Sequence, residues 1–390
     1  MIDVEALRAQ IPACQHGIYM NTGWSGPSPT PVIEAIKAQL ELDAELGPAS
    51  PGALTAQREI TMSTRADVAA LLGASIEEIS LLENTTEGIN VVLNGLRWQP
   101  GDEVITFAIE HSSVLVPTVF LQRQRVVPRV IQIAPTEDQP SILHKLEVAL
   151  NPRTRLVALS YIQYGSGLRM PVSGICERAH AGGARVLTDA AQAVGQVMVD
   201  LSQVQVDYFA MPGQKWLLGP DGTGALFVRR DLIEELQPGK VAGAAGHYDV
   251  TTGILEERTD TMRKFELTTS SPALRAGLRA AIRFIRDVGM PEIETRNGHL
   301  AAQAKTMLGD LPGVTVLSPL DPAVSTGLVT FQIGGVANSD AVAALWERWR
   351  LAARSVAELG AVRLSLHFFN TESEVEQLVD AVRTLASEAK

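Results

Sequence analysis

The sequence predicts an α/β fold: a large domain on a mainly parallel sheet, followed by a smaller α+β domain. Three observations carry this. Short β-branched runs alternate with helical patterns over the first two-thirds of the chain, as in a sheet covered on both faces. From about residue 270 the texture changes to long helices with weaker strands among them. The length of 390 residues also exceeds the usual size of one hydrophobic core.

Taken in order, "TPVIEAIKAQLELDAEL" and "LTAQREITMSTRADVAALLG" carry helical spacing. "ISLLE" reads as a strand and leads into "NTTEGINVVLNGL", a loop opening a helix. Then come "VITFA", a helix over 112–125, "RVIQIA", a helix over 141–150, "RLVALSYI" and a helix over 172–182. "RVLTDA", "VDYFAM" and "GALFVRR" complete the strands of the first part. Long helices follow over 271–289 and 291–311, with strands at "GVTVLS", "LVTFQI" and "AVRLSLHFF". The last helix starts at "TESE", where Thr371 and Glu374 form a capping-box pattern. No internal repeat or low-complexity tract interrupts this order.

Composition narrows the function. A hydrophobic content of 46% with 20% charged residues fits a globular, enzyme-like protein rather than a disordered one. The formal net charge of −11 argues against nucleic acid as a partner. No apolar run reaches the length of a membrane-spanning helix, and the start "MIDVEALRAQ" is acidic and mixed, unlike a signal peptide. Two cysteines, Cys14 and Cys176, cannot make a disulfide framework or a metal cluster. A reduced, cytoplasmic protein with no metal is the expectation.

Ligands of open α/β sheets sit at the carboxyl ends of the strands, and those ends hold few residues able to do chemistry. "MPGQKWLLGPDGTG" places Lys215 between a hydrophobic run and a glycine-rich turn. A buried ammonium without a partner is costly, and a shifted pKa or a covalent bond relieves that cost, so a Schiff-base lysine is the reading. "NTTEG" follows a strand and begins a helix, so backbone amides near Thr85, Thr86 and Gly88 can hold a phosphate. "AIEHSS" puts His111 just past a strand, and "LTDAAQ" puts Asp189 at a strand end with Gln192 three residues on. Singly, Asp189 and His111 read as helix caps and "NTTEG" as an ordinary helix start. Together on one rim they suit pyridoxal phosphate, with the aspartate keeping the pyridine nitrogen protonated so that the ring is an electron sink. The early strands lack the G-x-G-x-x-G of a nucleotide-binding oxidoreductase. A scaffold with a degenerate site would tolerate loss of Lys215 or Asp189, and both are present.

"TTEGIN", "EHSS", "DAAQAVGQVMVD", "VDYFAMPGQKWLLGPDGTGALFV", "KFELTTSS" and "VRLSLHFFNTESEVEQLV" resemble the class V aminotransferase superfamily, over essentially the whole chain. That family includes cysteine desulfurases, cysteine/cystine C–S lyases and isopenicillin N epimerase-like proteins. The resemblance implies the fold type I of pyridoxal-phosphate-dependent transferases. It also implies a large α/β domain with a mainly parallel seven-stranded sheet over 16–268 and a small α+β domain from 1–15 and 269–390. By the same resemblance Lys215 is the Schiff-base lysine, Asp189 the pyridinium partner and His111 the residue stacked on the ring. Gln192 hydrogen-bonds near the phenolic oxygen, Thr86 binds phosphate, and Thr269 reaches the phosphate of a neighbouring subunit. A homodimer with shared active sites follows. Arg363, in "AVRLSLHFFNT", matches the arginine that clamps the substrate α-carboxylate, and Arg354 is a second carboxylate candidate. Gly23, in "YMNTGWSG", matches a loop whose backbone lines the substrate site.

The chain departs from that pattern at three places. Many relatives have serine or threonine, glycine and histidine before the lysine; here stand Pro212, Gly213 and Gln214, so a phosphate-binding hydroxyl is missing and Gln214 replaces the histidine. Tyr164 stands where many relatives carry an asparagine near the cofactor oxygen, with Gln163 beside it to compensate. The persulfide-carrying cysteine of desulfurases precedes the clamp arginine, and "RLAARSVAELG" holds none. The expectation is an enzyme acting on an L-amino acid through an external aldimine and Cα deprotonation by Lys215. "GPASPGALTAQ" and "RSVAELGAVRLS" look most similar to the C–S lyase branch, which favours β-elimination from cysteine, cystine or a cysteine S-conjugate. Aminotransferase or isopenicillin N epimerase-like activity is the alternative, and cysteine desulfurase less so.

Overall fold

The computed structural model describes residues 2–389. Seven strands form the main sheet: Ile79–Leu82 (β1), Glu103–Phe107 (β2), Val127–Ile131 (β3), Thr154–Ser160 (β4), Arg185–Asp189 (β5), Tyr208–Pro212 (β6) and Gly224–Val228 (β7). Their order across the sheet is β1-β7-β6-β5-β4-β2-β3. Only β7 runs against its neighbours, so the sheet is mixed but mainly parallel. The reason lies in the connections. Parallel neighbours need a crossover segment, whereas β6 returns directly into β7 through residues 213–223 with no helix between. That loop holds Lys215.

Strand residues alternate between two apolar layers, as the two-residue period of a pleated strand requires. Ile105, Val157, Leu159, Phe209, Met211 and Phe227 face helices Pro51–Leu72, Val172–Ala181 and Pro272–Val288. Val104, Leu156, Ala158, Tyr208, Ala210 and Leu226 face helix Thr85–Gly95. Because both faces are covered, β2, β6 and β7 are buried at every position, while the edge strand β3 is largely exposed.

A second sheet holds Val314–Val316 (β8), Leu328–Ile333 (β9), Arg354–Val356 (β10) and Ala361–Ser365 (β11), in the order β8-β9-β11-β10, all antiparallel. Helices Met290–Gly309, Asn338–Trp349 and Glu372–Glu388 cover it around Leu300, Phe331, Leu345, Leu364 and Val382. The capping box of Thr371 and Glu374 forms as the sequence predicts. Three local expectations change. Helix Asn338–Trp349 was not anticipated from its pattern. The helix expected over 112–125 ends at Phe120, where Pro117 has removed one backbone donor, and a 3-10 turn carries the chain to Gln124. The hairpin Gly246–Asp249 and Ile254–Glu257 is an added exposed element.

A segment near the amino terminus joins the two sheets. Ile18–Tyr19 pairs in parallel with Leu351–Ala352, and Asn21 bridges to Ser365. The chain then turns back, and the Gly26 amide donates to the Gln214 carbonyl at 2.6 Å. Residues 21–26 therefore touch both β11 and the lysine loop. Among the described residues no helix is long and apolar enough to cross a membrane.

Candidate active site

Lys215 follows β6 by three residues and is partly buried. Its amine has neither a hydrogen bond nor an ion pair among the described residues. Burial pushes it down from 10.5 to about 8, against a smaller upward pull from Asp189 and with Arg363 and Arg354 lowering it further. Asp189, the last residue of β5, is buried, and its carboxylate accepts the Ala191 amide at 2.8 Å. Burial raises its pKa, with the Lys215 charge opposing the rise.

Gln192 is committed on both ends. Its amide nitrogen donates to the Gly23 carbonyl at 2.8 Å, and its oxygen accepts from the Trp216 indole at 2.8 Å. Trp216, directly after the lysine, is itself fixed through its carbonyl to His367 at 3.0 Å. Gly23 has no room for a side chain: a Cβ there would lie 2.7 Å from Ser365 Oγ, 2.8 Å from Gln192 Oε1 and 3.3 Å from Arg363 Nη2. Arg363 on β11 is fully buried. Its Nη1 donates to the Tyr164 carbonyl at 2.7 Å, while Nε and Nη2 have no partner. Burial first, and Arg354 second, bring its pKa down to about 9.

Arg354 stands directly opposite Arg363 in the β10–β11 pairing, so both side chains share one face of the small sheet. Its guanidinium lies 4.2 Å over the Trp24 ring, and burial lowers its pKa. His111 is the N-cap of helix Ser112–Phe120, its Nδ1 accepting the Ser113 amide at 3.1 Å. Burial and the Lys215, Arg354 and Arg363 charges hold its pKa down at about 4, so the ring is neutral near pH 7. Tyr164 meets that ring edge-on at 4.9 Å. Gln163 is fully buried, donates to Glu110 at 2.8 Å and leaves its own oxygen without a partner.

The phosphate candidates divide. Thr85 and Thr86 open helix Thr85–Gly95; the Thr85 hydroxyl is buried without a partner, while the Thr86 hydroxyl is exposed and donates to Ser113 at 2.9 Å. Gln214 has an unpartnered buried oxygen. Thr269 is exposed, with a left-handed φ of 63°, on a loop facing a cleft of about 440 Å³ that includes Gly222, Thr223 and Glu87. The structure thus brings Lys215, Asp189, His111, Gln163, Arg354 and Arg363 to one rim, and leaves Thr269 on the outer surface of the chain.

These residues fit pyridoxal phosphate. A free amine of lowered pKa and buried polar atoms of Thr85, Gln163, Gln214 and Arg363 lack partners among the described residues, and the buried Asp189 carboxylate has only the Ala191 amide. Such atoms are costly unless a polar ligand meets them. Fold and rim together define a pyridoxal-phosphate enzyme of fold type I. Residues 18–378 match the family model "Aminotransferase class-V", and the chain belongs to that family. A probable cysteine desulfurase of Methanothermobacter thermautotrophicus is 29% identical over 399 residues, covering 98% of each chain. An isopenicillin N epimerase of Streptomyces clavuligerus is 28% identical over 390 residues, covering 95% of each. A solved complex of the cystine C–S lyase C-DES with its reaction product cysteine persulfide aligns with a TM-score of 0.90 at 27% identity, covering 96% of this chain and 99% of that one.

Sequence reasoning passed over Glu110, Trp24 and His367. Glu110 sits inside the quoted "AIEHSS", and an acidic residue between an apolar strand and a helix start was the available signal. Trp24 and His367 gave none, since Trp24 meets Arg354 and His367 meets Trp216, both far off in the sequence.

The lysine has a measurable consequence. Unfolded, it binds a proton up to about pH 10.5; folded, only up to about 8. Its contribution to stability is therefore least below pH 8 and rises as pH climbs through that window. In cofactor-free protein, the rate of reductive methylation of Lys215 should follow a midpoint near pH 8. Asp189→Asn should lower that midpoint, because the Asp189 charge raises it. An unshifted lysine midpoint, read by peptide mass spectrometry, would contradict the desolvated site.

Proposed function

We propose that this enzyme is a C–S lyase, removing the sulfur substituent of a cysteine-like L-amino acid by β-elimination. The observation that carries the reading is where the thiols are. Elimination needs no protein thiol, and the stretch from Leu351 to Val362, before the clamp arginine, has no cysteine. Cys176 is buried in helix Val172–Ala181 and Cys14 lies in an amino-terminal turn. Burial pushes their thiols up to about 12 and about 11, far from the reactive thiolate range. Sulfur then leaves on a substrate fragment. The likeness to the C–S lyase C-DES supports the same reading.

Bound pyridoxal phosphate supplies the electron sink for the charge released at Cα. The protein does the rest. Arg363 offers Nε and Nη2 to the substrate α-carboxylate, a planar fork matching a planar acceptor. Lys215, with its lowered pKa, takes the Cα proton at Nζ. Asp189 would hold a proton at the pyridine nitrogen, and His111, neutral, would add no charge beside the ring. Thr85, Thr86 and Gln214 take the phosphate. The likeness to an isopenicillin N epimerase favours a second reading, in which the proton returns to the other face of Cα.

A homodimer belongs to this proposal. Pro212 offers no hydroxyl to the phosphate, and Thr269 on its exposed loop is available to a second copy. Tyr248, Val250, Ile254 and Leu255 on the added hairpin expose apolar surface, which marks association sites. A reducing, cytoplasmic setting suits two free cysteines.

Purified holoenzyme given cystine or a cysteine S-conjugate should yield pyruvate, ammonia and a free sulfur species. Changing Cys14 and Cys176 to serine should leave the rate nearly as it was. Accumulating alanine with an enzyme-bound persulfide would identify a desulfurase, and a need for a 2-oxo acid acceptor an aminotransferase. Arg363→Lys should weaken substrate binding by about 2–5 kcal/mol, much more than it weakens cofactor retention. Wild-type turnover of the decarboxylated amine at an equal rate would show that no clamp operates. Sedimentation should show a dimer that Thr269→Ala leaves intact while its cofactor dissociates faster. A monomer holding cofactor tightly would refute the shared site.

A further inference from the structure

We propose that Glu110 is a positioning residue whose protonation selects which end of the Gln163 carboxamide meets the phenolic oxygen of pyridoxal phosphate. The inference rests on the assignment of Gln163 to that oxygen and adds the group that controls it.

The geometry is specific. Glu110 lies past the end of β2, next to His111, and is 5% exposed. One carboxylate oxygen accepts the Ser160 amide at 3.0 Å and the Ser160 hydroxyl. The other accepts the Gln163 side-chain nitrogen at 2.8 Å. Gln163, fully buried, is left with an oxygen that has no partner among the described residues.

A carboxamide has a donor end and an acceptor end of nearly equal shape. An ionised Glu110 only accepts, so it holds the donor end and turns the Gln163 oxygen toward the site. A protonated Glu110 can donate to that oxygen, and the rotated amide then turns two N–H groups toward the site. The two arrangements present opposite chemistry to the cofactor: an acceptor suits a phenol O–H, and donors suit a phenolate. Glu110 exchanges its proton with solvent, and each of its two states shifts the phenolic oxygen's preference: toward phenol when Glu110 is ionised, toward phenolate when it is protonated.

The surroundings leave the carboxyl group close to balance. Burial and the Asp189 carboxylate disfavour its charge, while the Ser160 and Gln163 donors favour it, bringing it to about 7. Asp189 acts from the neighbouring strand, in register with Ser160. His111 adjoins in sequence, and Tyr164 and Glu358 face Glu110 across a cleft of about 230 Å³.

The test uses holoenzyme without substrate, so it does not depend on which reaction follows. The cofactor absorption of the wild type should show a step near neutral pH. Glu110→Gln, which cannot ionise, should keep the cofactor and lose that step. Ser160→Ala removes one donor to the carboxylate and should move the step upward by about one pH unit. Gln163→Leu should alter the absorption at every pH. A step that survives unchanged in both Glu110→Gln and Ser160→Ala overturns the role of Glu110, even with Gln163→Leu altering the spectrum. Absorption unaffected by Gln163→Leu overturns the assignment of Gln163 itself.

Discussion

Positive charge held out of water without a carboxylate partner is the constraint on which this structure turns. Among the described residues Lys215 has no ion pair, and Arg363 has only a backbone carbonyl for company. Desolvation costs such groups several kcal/mol each, and structural salt bridges exist to avoid that cost. Other buried cations have partners: Arg65 is paired with Glu266 at 2.7 Å and Arg8 with Glu374 at 2.8 Å, while Lys264 and Lys305 donate to backbone carbonyl oxygens. The rim is the exception. Polar or anionic groups brought to the rim would lower that penalty.

Everything around those charges serves to keep them there. The return of β6 into β7 fastens the lysine loop to the sheet at both ends, so its backbone cannot drift. From that loop a buried chain of hydrogen bonds runs from His367 to the Trp216 carbonyl, from the Trp216 indole to Gln192, and from Gln192 to the Gly23 carbonyl. Gly23 in turn lies against Arg363, so amine and guanidinium are set relative to one another by packed polar contacts rather than by a charge pair. The missing Cβ at Gly23 is what permits this closeness.

The strands and most helices were legible because their signals are local. The hydrophobic runs of β2 to β7 and the capping box at Thr371 need no distant partner to be recognised. The rim was legible for a related reason: Lys215, Asp189 and His111 each lie at or just past a strand end, and strand ends converge in an open sheet. What escaped depends on contacts across the chain. Helix Asn338–Trp349 carries an ordinary pattern that tertiary packing resolves, and the helix expected over 112–125 gives way to a 3-10 turn after Phe120. Glu110 was in plain view, but only its burial against Ser160 and Gln163 turns an acidic residue into a feature of the site. Gln192, read toward the cofactor, has both ends occupied by Gly23 and Trp216, which no motif records.

The stitching of residues 18–21 to the last strands also sets a timetable for synthesis. Ile18 and Tyr19 wait for Leu351 and Ala352, and Asn21 waits for Ser365. A chain emerging from the ribosome can complete the main sheet long before those partners exist. Its lysine loop would then be in place while β11 and its Arg363 are still unmade. A product terminated before Leu351 would therefore carry the lysine loop without the pairing that fastens residues 18–21 beside it.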